Sequence, residues 1–193
     1  MSSRLRLFAQ DFVKESFTKD QPLTVAAHIR PYQDDCLKAW ANKSGNPKDP
    51  KSRCLDVNLE ELVVKKLTRV MESTTGVKKG GLFILAHPAI RWRINRLLEP
   101  QGIKPVYLDP NSAAVKALED GIKWRHGTSS LLMLAEQSVA VLAREFIGTH
   151  FSSASWIVID ARETQGNRSL PQFFLQRKQE EELQKLYKNS LAK

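Results

Sequence analysis

The run from Gly81 to Ala86 (GLFILA) decides the fold class, because it is apolar without interruption. It follows Gly80 and precedes His87-Pro88, so turn-forming residues bound it on both sides. A short apolar run without polar alternation is typical of a strand that is buried on both faces of a parallel sheet. We therefore predict a buried strand here and interpret the neighbouring segments around it.

Helices and strands alternate after this run. A helix is predicted from His87 to Glu99, because Pro88 suits the first turn and apolar residues recur at helical spacing. A strand is then predicted from Lys104 to Leu108. Asp109-Pro110 supplies a cap and a first-turn proline for a helix that continues to Ile122.

The segment before GLFILA repeats the alternation. Arg53 to Val57 is predicted to be a strand, and a helix is predicted from Leu59 to about Ser73. Asn58 with Glu61 three residues later has the order of a capping box, which marks the start of this helix.

The remaining elements are predicted with the same rules. A long helix is expected from about Ser129 to Ile147, and the apolar run from Ser155 to Ile159 (SWIVI) is expected to be a strand. The other predicted helices run from Leu5 to Phe17, from Leu23 to Ala41 and, with many charged residues, from Leu170 to Ala192.

Alternation of this kind predicts an α/β fold with a mainly parallel sheet of about four strands, flanked by helices. An N-terminal helical segment and a C-terminal amphipathic helix complete it. We expect three units: residues 1–44 as the helical segment, 53–169 as the α/β core and 170–193 as the charged helix. The polar run between the first two contains glycine, prolines and lysines, which is typical of a loop.

Charge is the strongest global indication of function. The 193 residues carry a formal net charge of +9, which predicts attraction to phosphate backbones and other polyanions. The leading hypothesis is therefore a non-enzymatic nucleic-acid-binding protein, DNA or RNA, with the backbone phosphates supplying most of the affinity.

The candidate nucleic-acid surface combines cations with tryptophans, which stack on exposed bases. One group lies on the helix after GLFILA, a second follows the next helix, and a third lies on the helix before GLFILA. These residues are Arg91, Trp92, Arg93 and Arg96, then Lys123, Trp124 and Arg125, and finally Lys65, Lys66 and Arg69.

Two alternatives compete with nucleic-acid binding. The first is an assembly subunit whose basic face meets an acidic protein partner and whose terminal helix, Leu170 to Ala192, is the anchor. The second is a metal-dependent nuclease or phosphotransferase, because Asp56, Asp109 and Asp160 each lie near the end of a predicted strand. It requires these three carboxylates to converge on one ion.

The absence of known catalytic motifs argues against other chemistry. The sequence has no dinucleotide-binding, P-loop or nucleophile-elbow motif, so we expect no cofactor and no catalytic residues. Cys36 and Cys54 have no metal-ligand spacing, and this usage favours a reducing, cytoplasmic compartment. The apolar runs are too short to span a bilayer, so we expect no membrane association. The sequence does not indicate an oligomeric state.

Overall fold

The computed structural model describes residues 2–30, 59–75, 80–122, 128–150, 152–166 and 172–174, together with Lys178 and Glu181. Within these residues, five strands form one parallel sheet in the order β3-β2-β1-β4-β5. They are β1 (Leu23–His28), β2 (Gly81–Leu85), β3 (Pro105–Val106), β4 (Glu145–Gly148) and β5 (Gln172–Phe173). The predicted α/β class with a mainly parallel sheet is confirmed.

Six α-helices are found among the described residues, and two short 3₁₀ segments, Pro88–Ile90 and Glu99–Gln101, flank the third. The helices are α1 (Ser3–Ser16), α2 (Leu59–Thr75), α3 (Arg91–Leu98), α4 (Ala113–Ile122), α5 (Thr128–Val141) and α6 (Ser153–Thr164). The predictions from Leu5, Leu59 and His87 and the one ending at Ile122 each correspond to one of these helices.

Helices cover both faces of the sheet. On one face, Val25 and Ile84 belong to a buried apolar cluster with residues of α2 and α3. On the other face, Ala26 and Phe83 belong to a second cluster with residues of α1, α4, α5 and α6. Because successive strand residues point to opposite faces, a strand in this position must be apolar on both sides.

The prediction of a helix from Leu23 to Ala41 is wrong over its first part, because Leu23–His28 is the central strand β1. It pairs in parallel with β2 on one side and β4 on the other. Its residues Val25, Ala26 and Ala27 are fully buried, so the polar alternation of a half-exposed strand is missing. An alanine-rich apolar run of this kind also fits helical spacing, which explains the error.

The predicted helix from Ser129 to Ile147 is too long. Helix α5 ends at Val141, and β4 begins four residues later at Glu145. The last turn tightens, because Leu142 N–H donates to Val139 O and Ala143 N–H donates to Ala140 O. Apolar residues lie on both sides of Arg144 and Glu145, so the periodicity indicated no boundary between helix and strand.

The predicted strand from Ser155 to Ile159 is wrong, because these residues lie within α6. Its buried positions include Ser155, Val158, Ile159 and Arg162, which follow the helical spacing i, i+3, i+4, i+7. The β-branched run SWIVI favoured a strand, and packing against the sheet overrides that preference.

Several predictions lie outside the described residues. These are the strand from Arg53 to Val57, the second half of the predicted helix ending at Ala41, and most of the helix from Leu170 to Ala192. Within that last segment Gln172–Phe173 forms β5, whereas Lys178 and Glu181 are helical. The proposed unit boundaries also fall on residues that are not described, so the division of the chain stays a prediction.

None of the described helices has the combination of length and apolar character that crossing a membrane requires.

Candidate functional site

The candidate site lies at the carboxyl edge of the sheet, between β1 and β4. The chain moves from β1 outward to β2 and β3, and then crosses to the other side of β1 to form β4 and β5. Open α/β sheets bind ligands in the crevice outside the carboxyl ends of their strands, at the point where the strand order reverses. In this sheet that point is the junction of β1 and β4.

The register defines which residues meet at the junction. Val25 pairs with Glu145 and Ala27 pairs with Ile147, so His28 is level with Gly148. Arg30 follows two residues after the end of β1 and is exposed. The end of β1 therefore brings an imidazole and a guanidinium to the crevice.

Helix α6 follows β4 closely, and Gly148 makes this approach possible. A Cβ atom at Gly148 would lie 3.0 Å from Ser155 Cβ and 3.1 Å from Ser155 Oγ. This is tighter than an ordinary van der Waals contact, so a side chain at position 148 would force the strand end and the helix apart. Glycine here allows the first turn of α6 to pack onto the end of β4.

A hydrogen-bond network joins the two strand ends to α6. Ser155 Oγ lies 2.8 Å from His28 Nδ1 and accepts from Thr149 N–H at 2.9 Å. The Thr149 hydroxyl donates to the His28 carbonyl oxygen at 2.8 Å. Thr149 and Ser155 are buried, so these bonds are partly or fully shielded from solvent and hold His28 in one place.

Burial makes His28 a neutral group. Burial and, to a smaller extent, the nearby positive charge of Arg30 together lower the pKa of His28 from 6.5 to about 4. At neutral pH the imidazole therefore carries one proton and no charge.

The N-terminus of α6 faces the same junction. Its N-cap, Ser152, makes no side-chain cap hydrogen bond, although serine is a preferred residue at this position. The Ser152 hydroxyl is fully buried and has no hydrogen-bond partner in the part of the chain that the structure describes. The first turn of α6 also contains no acidic residue, so none neutralises the positive end of the helix dipole. A helix start of this kind favours an anion.

An aromatic group borders the junction on the side of β5. The His150 and Phe173 rings stack with 4.3 Å between their centroids, and the Trp156 ring lies 5.5 Å from Phe173. Trp156 Nε1–H donates to the His150 carbonyl oxygen at 2.7 Å, which fixes the exposed indole. The packing of these rings stabilises the position of the start of α6 at the edge of the sheet.

Among the predicted surface residues, Arg91 is engaged inside the protein. Its guanidinium donates to Glu136 Oε1 and Leu108 O, each at 2.8 Å, and to Ala86 O at 3.1 Å. It also lies 5.0 Å from the centre of the Tyr107 ring. With all of these interactions, Arg91 joins the ends of β2 and β3 to α5.

The other predicted surface residues on α3 and α2 do not share one environment. Trp92 is half-buried, and its indole nitrogen is buried without a hydrogen-bond partner among the described residues. Arg93 and Lys66 are half-buried, whereas Arg96, Lys65 and Arg69 are exposed. Lys123, Trp124 and Arg125 lie outside the described residues.

Two of the exposed cations line a groove of about 510 Å³ between α2 and the end of α3, which lies at the opposite end of α3 from the carboxyl edge of the sheet. Its lining includes Lys65, Arg69, Glu72 and Leu97. The structure thus places Lys65 and Arg69 on a different part of the molecule from His28 and Arg30.

The predicted set of strand-end aspartates is not brought together. Asp109 follows β3 and accepts from Asn111 N–H at 2.9 Å, as in a turn. Asp160 lies within α6, and its carbonyl oxygen accepts from the Thr164 hydroxyl. Asp56 is outside the described residues, and within the described part of the chain no three His, Cys, Asp or Glu side chains form a possible metal site.

His28, Arg30, Thr149 and Ser155 were not predicted from the sequence. Two signals were available. The run TVAA before His28 fits a buried strand as well as a helix, and a strand there would have placed His28 and Arg30 at a carboxyl edge. Gly148 after an apolar run, with Ser152 as a possible N-cap, has the order of a strand, a tight turn and a helix start.

The fold is similar to known structures, whereas no protein-family model and no curated protein matches the sequence. POFUT1 in complex with GDP-fucose matches in two crystal forms, with TM-scores of 0.56 and 0.52 at 19% identity. These matches cover 91% and 90% of this chain and 47% of each POFUT1 chain. POFUT1 in complex with GDP also matches, with a TM-score of 0.52 at 19% identity, over 90% of this chain and 46% of that one.

This chain therefore spans about half the length of the structures that it matches. At such low identity the likeness shows the fold alone, which is α/β.

The interpretation as a non-enzymatic nucleic-acid-binding protein is wrong. The structures that share this fold are complexes with GDP-fucose or GDP. The same finding corrects three related predictions. These are the DNA or RNA partner, the assembly subunit anchored by residues 170–192 and the metal-dependent nuclease. Net charge was a poor guide, because a surplus of cations attracts a diphosphate as well as a nucleic-acid backbone.

Proposed function

We propose that this chain is a nucleotide-sugar-binding unit of glycosyltransferase type, which holds the diphosphate of a GDP-sugar at the junction of β1, β4 and α6. One observation carries the proposal: Arg30, His28 and the uncapped start of α6 meet at the reversal of strand order. The likeness to structures that contain GDP-fucose and GDP supports the choice of ligand.

Electrostatics favours a diphosphate at this position. A helix N-terminus offers backbone N–H donors that have no partner within the helix, together with the positive end of the dipole. Arg30 adds a full positive charge and a planar set of donors that matches phosphate oxygens. No acidic residue in the first turn of α6 opposes these contributions.

Hydrogen bonding adds specificity to this attraction. The junction is lined by hydroxyl groups and a neutral imidazole, which recognise oxygen atoms without adding charge. Ser152 has a buried hydroxyl whose hydrogen-bonding capacity is unused among the described residues. A buried polar group without a partner is costly, so a bound phosphate oxygen that pairs with it would gain affinity.

The proposal covers only the binding of the nucleotide-sugar donor, because this chain spans about half the length of the structures that it matches. The choice of guanine as the base and fucose as the sugar rests on the ligands of those structures. The cytoplasmic location suggested by the two cysteines is a separate proposal, which subcellular fractionation with an antibody to the untagged protein would test.

Calorimetric titration with GDP and GDP-fucose tests the proposal. We expect saturable binding of both ligands, and a loss of about 10- to 100-fold in affinity for Arg30→Ala, as for the removal of a charge-assisted hydrogen bond. Arg96→Ala is the matched control, because Arg96 is an exposed arginine on α3, and it should bind as the wild type does. Absence of GDP binding, or equal losses in the two variants, would contradict the proposal.

A further inference from the structure

The network around Ser155 determines where the protons of His28 lie. Ser155 Oγ makes two described contacts, one with Thr149 N–H and one with His28 Nδ1. A backbone N–H can only donate, so Oγ accepts the proton of Thr149. The Ser155 hydroxyl then has its own hydrogen left to donate.

His28 Nδ1 is the acceptor for that hydrogen. No other described group accepts from Ser155 Oγ, and its hydroxyl is fully buried, so a hydrogen without an acceptor would be costly. A neutral imidazole has one nitrogen with hydrogen and one without. If Nδ1 accepts from Ser155, the hydrogen of the ring lies on Nε2.

The far side of the ring is available to a ligand. Nε2 points away from Ser155, because the two nitrogens lie on different sides of the imidazole. No described residue pairs with Nε2, whereas Nδ1 and the carbonyl oxygen of His28 are both engaged. The ring is thus held at one nitrogen and offers a donor at the other.

We propose that Ser155 is a positioning residue that holds His28 in the Nε2–H tautomer, so that His28 donates a hydrogen bond to a diphosphate oxygen of the bound nucleotide. The role of the ligand rests on the function proposed above, whereas the tautomer is a property of the free protein. The group that pairs with one ring nitrogen commonly determines which nitrogen of a histidine carries hydrogen.

The surroundings make this arrangement rigid. Ser155 lies in the first turn of α6, and Gly148 allows the close packing of that turn on β4. Thr149 donates from its backbone to Ser155 and from its hydroxyl to the carbonyl of His28, so one residue ties both partners together. The side chain of His28 is fixed before any ligand binds, which reduces the entropy lost on binding.

Nitrogen-15 NMR of histidine-labelled wild-type protein at pH 7 is the first test, and it needs no ligand and no variant. We expect His28 to show a protonated Nε2 and an unprotonated Nδ1. A ring with hydrogen on Nδ1, or with hydrogen on both nitrogens, would overturn the assignment.

A double-mutant cycle with GDP is the second test. Ser155→Ala should weaken GDP binding by roughly 5- to 10-fold, as for the loss of a hydrogen bond, whereas Ser155→Ala in a His28→Ala background should change it little. Ser138→Ala is the matched control, because Ser138 is also buried but donates to Leu134 O within its own helix. It should leave GDP affinity unchanged.

The outcomes separate this inference from the proposed function. If the wild type does not bind GDP, the proposed function fails, while the NMR result still decides the tautomer. If the wild type binds GDP but Ser155→Ala weakens binding equally in both backgrounds, Ser155 does not act through His28 and the positioning role is wrong.

Discussion

Arg91 and Glu136 are joined by a buried hydrogen bond, in which Arg91 Nη2 donates to Glu136 Oε1 at 2.8 Å. The two side chains are only 14% and 8% exposed, so water screens the pair weakly. The same guanidinium holds the carbonyl oxygens of Ala86 and Leu108, just after β2 and near the end of β3. The pair therefore fixes the β2–β3 half of the carboxyl edge.

Arg91→Lys should destabilise the fold. Lysine retains the charge, but its single ammonium group cannot reach three acceptors arranged around a planar guanidinium. We expect a loss of about 2–3 kcal/mol in the free energy of unfolding, measured by urea denaturation. Arg96→Lys, at an exposed position of the same helix, should change stability by less than about 0.5 kcal/mol. Similar losses in both variants would show that the Arg91 contacts contribute little.

Glu136 makes stability depend on pH. Burial raises the pKa of Glu136 from 4.5 to about 8, although Arg91 acts in the opposite direction. Between these two values the native state holds a proton that the unfolded state has released, so stability falls as the pH rises and levels off above pH 8.

Glu136→Gln should remove this dependence. His28 contributes in the opposite direction only below pH 6.5, so the interval from pH 6.5 to 8 isolates Glu136. There the wild type should lose up to about 2 kcal/mol more than the variant, as measured by chemical denaturation. Parallel curves for the two proteins would mean that Glu136 titrates at an ordinary pKa.

Gly148→Ala should disturb the site without contact with any ligand. The added Cβ would meet Ser155 Cβ at 3.0 Å, so α6 must move away from β4 and stretch the bonds between Ser155, Thr149 and His28. We expect a loss of about 1–3 kcal/mol in stability, together with weaker GDP binding. Gly121→Ala is the control, because its nearest contact would be Arg4 Nη1 at 3.7 Å. Wild-type GDP affinity in Gly148→Ala would contradict the close-packing argument.

Arg162 provides a further test, because it caps the end of α5 from within α6. Its guanidinium donates to the carbonyl oxygens of Val141, Ala143 and Arg144, in the segment that joins α5 to β4. Burial lowers the pKa of this arginine, and the nearby charge of Glu145 opposes that shift.

Arg162→Met keeps much of the side-chain volume but leaves these carbonyl groups without a donor. We expect a loss of about 2–4 kcal/mol in the free energy of unfolding. Glu163→Ala changes the next, exposed residue of the same helix and should have little effect on thermal unfolding. An equally small effect of Arg162→Met would show that water satisfies the carbonyl groups.

The sequence was informative where an element has a marked start or is apolar without interruption between turn residues. Helix α2 and strand β2 were predicted within two residues of their observed bounds, because capping order and an uninterrupted apolar run are local signals. Strand β1 and helix α6 were assigned to the wrong class. The apolar residues of each segment fit both the helical and the strand periodicity. Only packing on the sheet determines which element forms.

The site was beyond the reach of local patterns. His28 and Ser155 are separated by 127 positions, and His28 and Thr149 by 121. These residues meet only because β1 and β4 are neighbours in the sheet, which a wrong assignment of β1 concealed. Clusters of cations close together in the sequence, such as Lys65, Lys66 and Arg69, drew attention to another part of the molecule.

An NMR titration with GDP, which follows the amide ¹H–¹⁵N signals of the wild-type protein, would show where the nucleotide binds. We expect saturable shifts that are largest for residues 28–30 and for residues 148–155, with small changes along α2 and α3. Shifts centred on the groove formed by Lys65 and Arg69, or no saturable shifts at all, would contradict the proposed function.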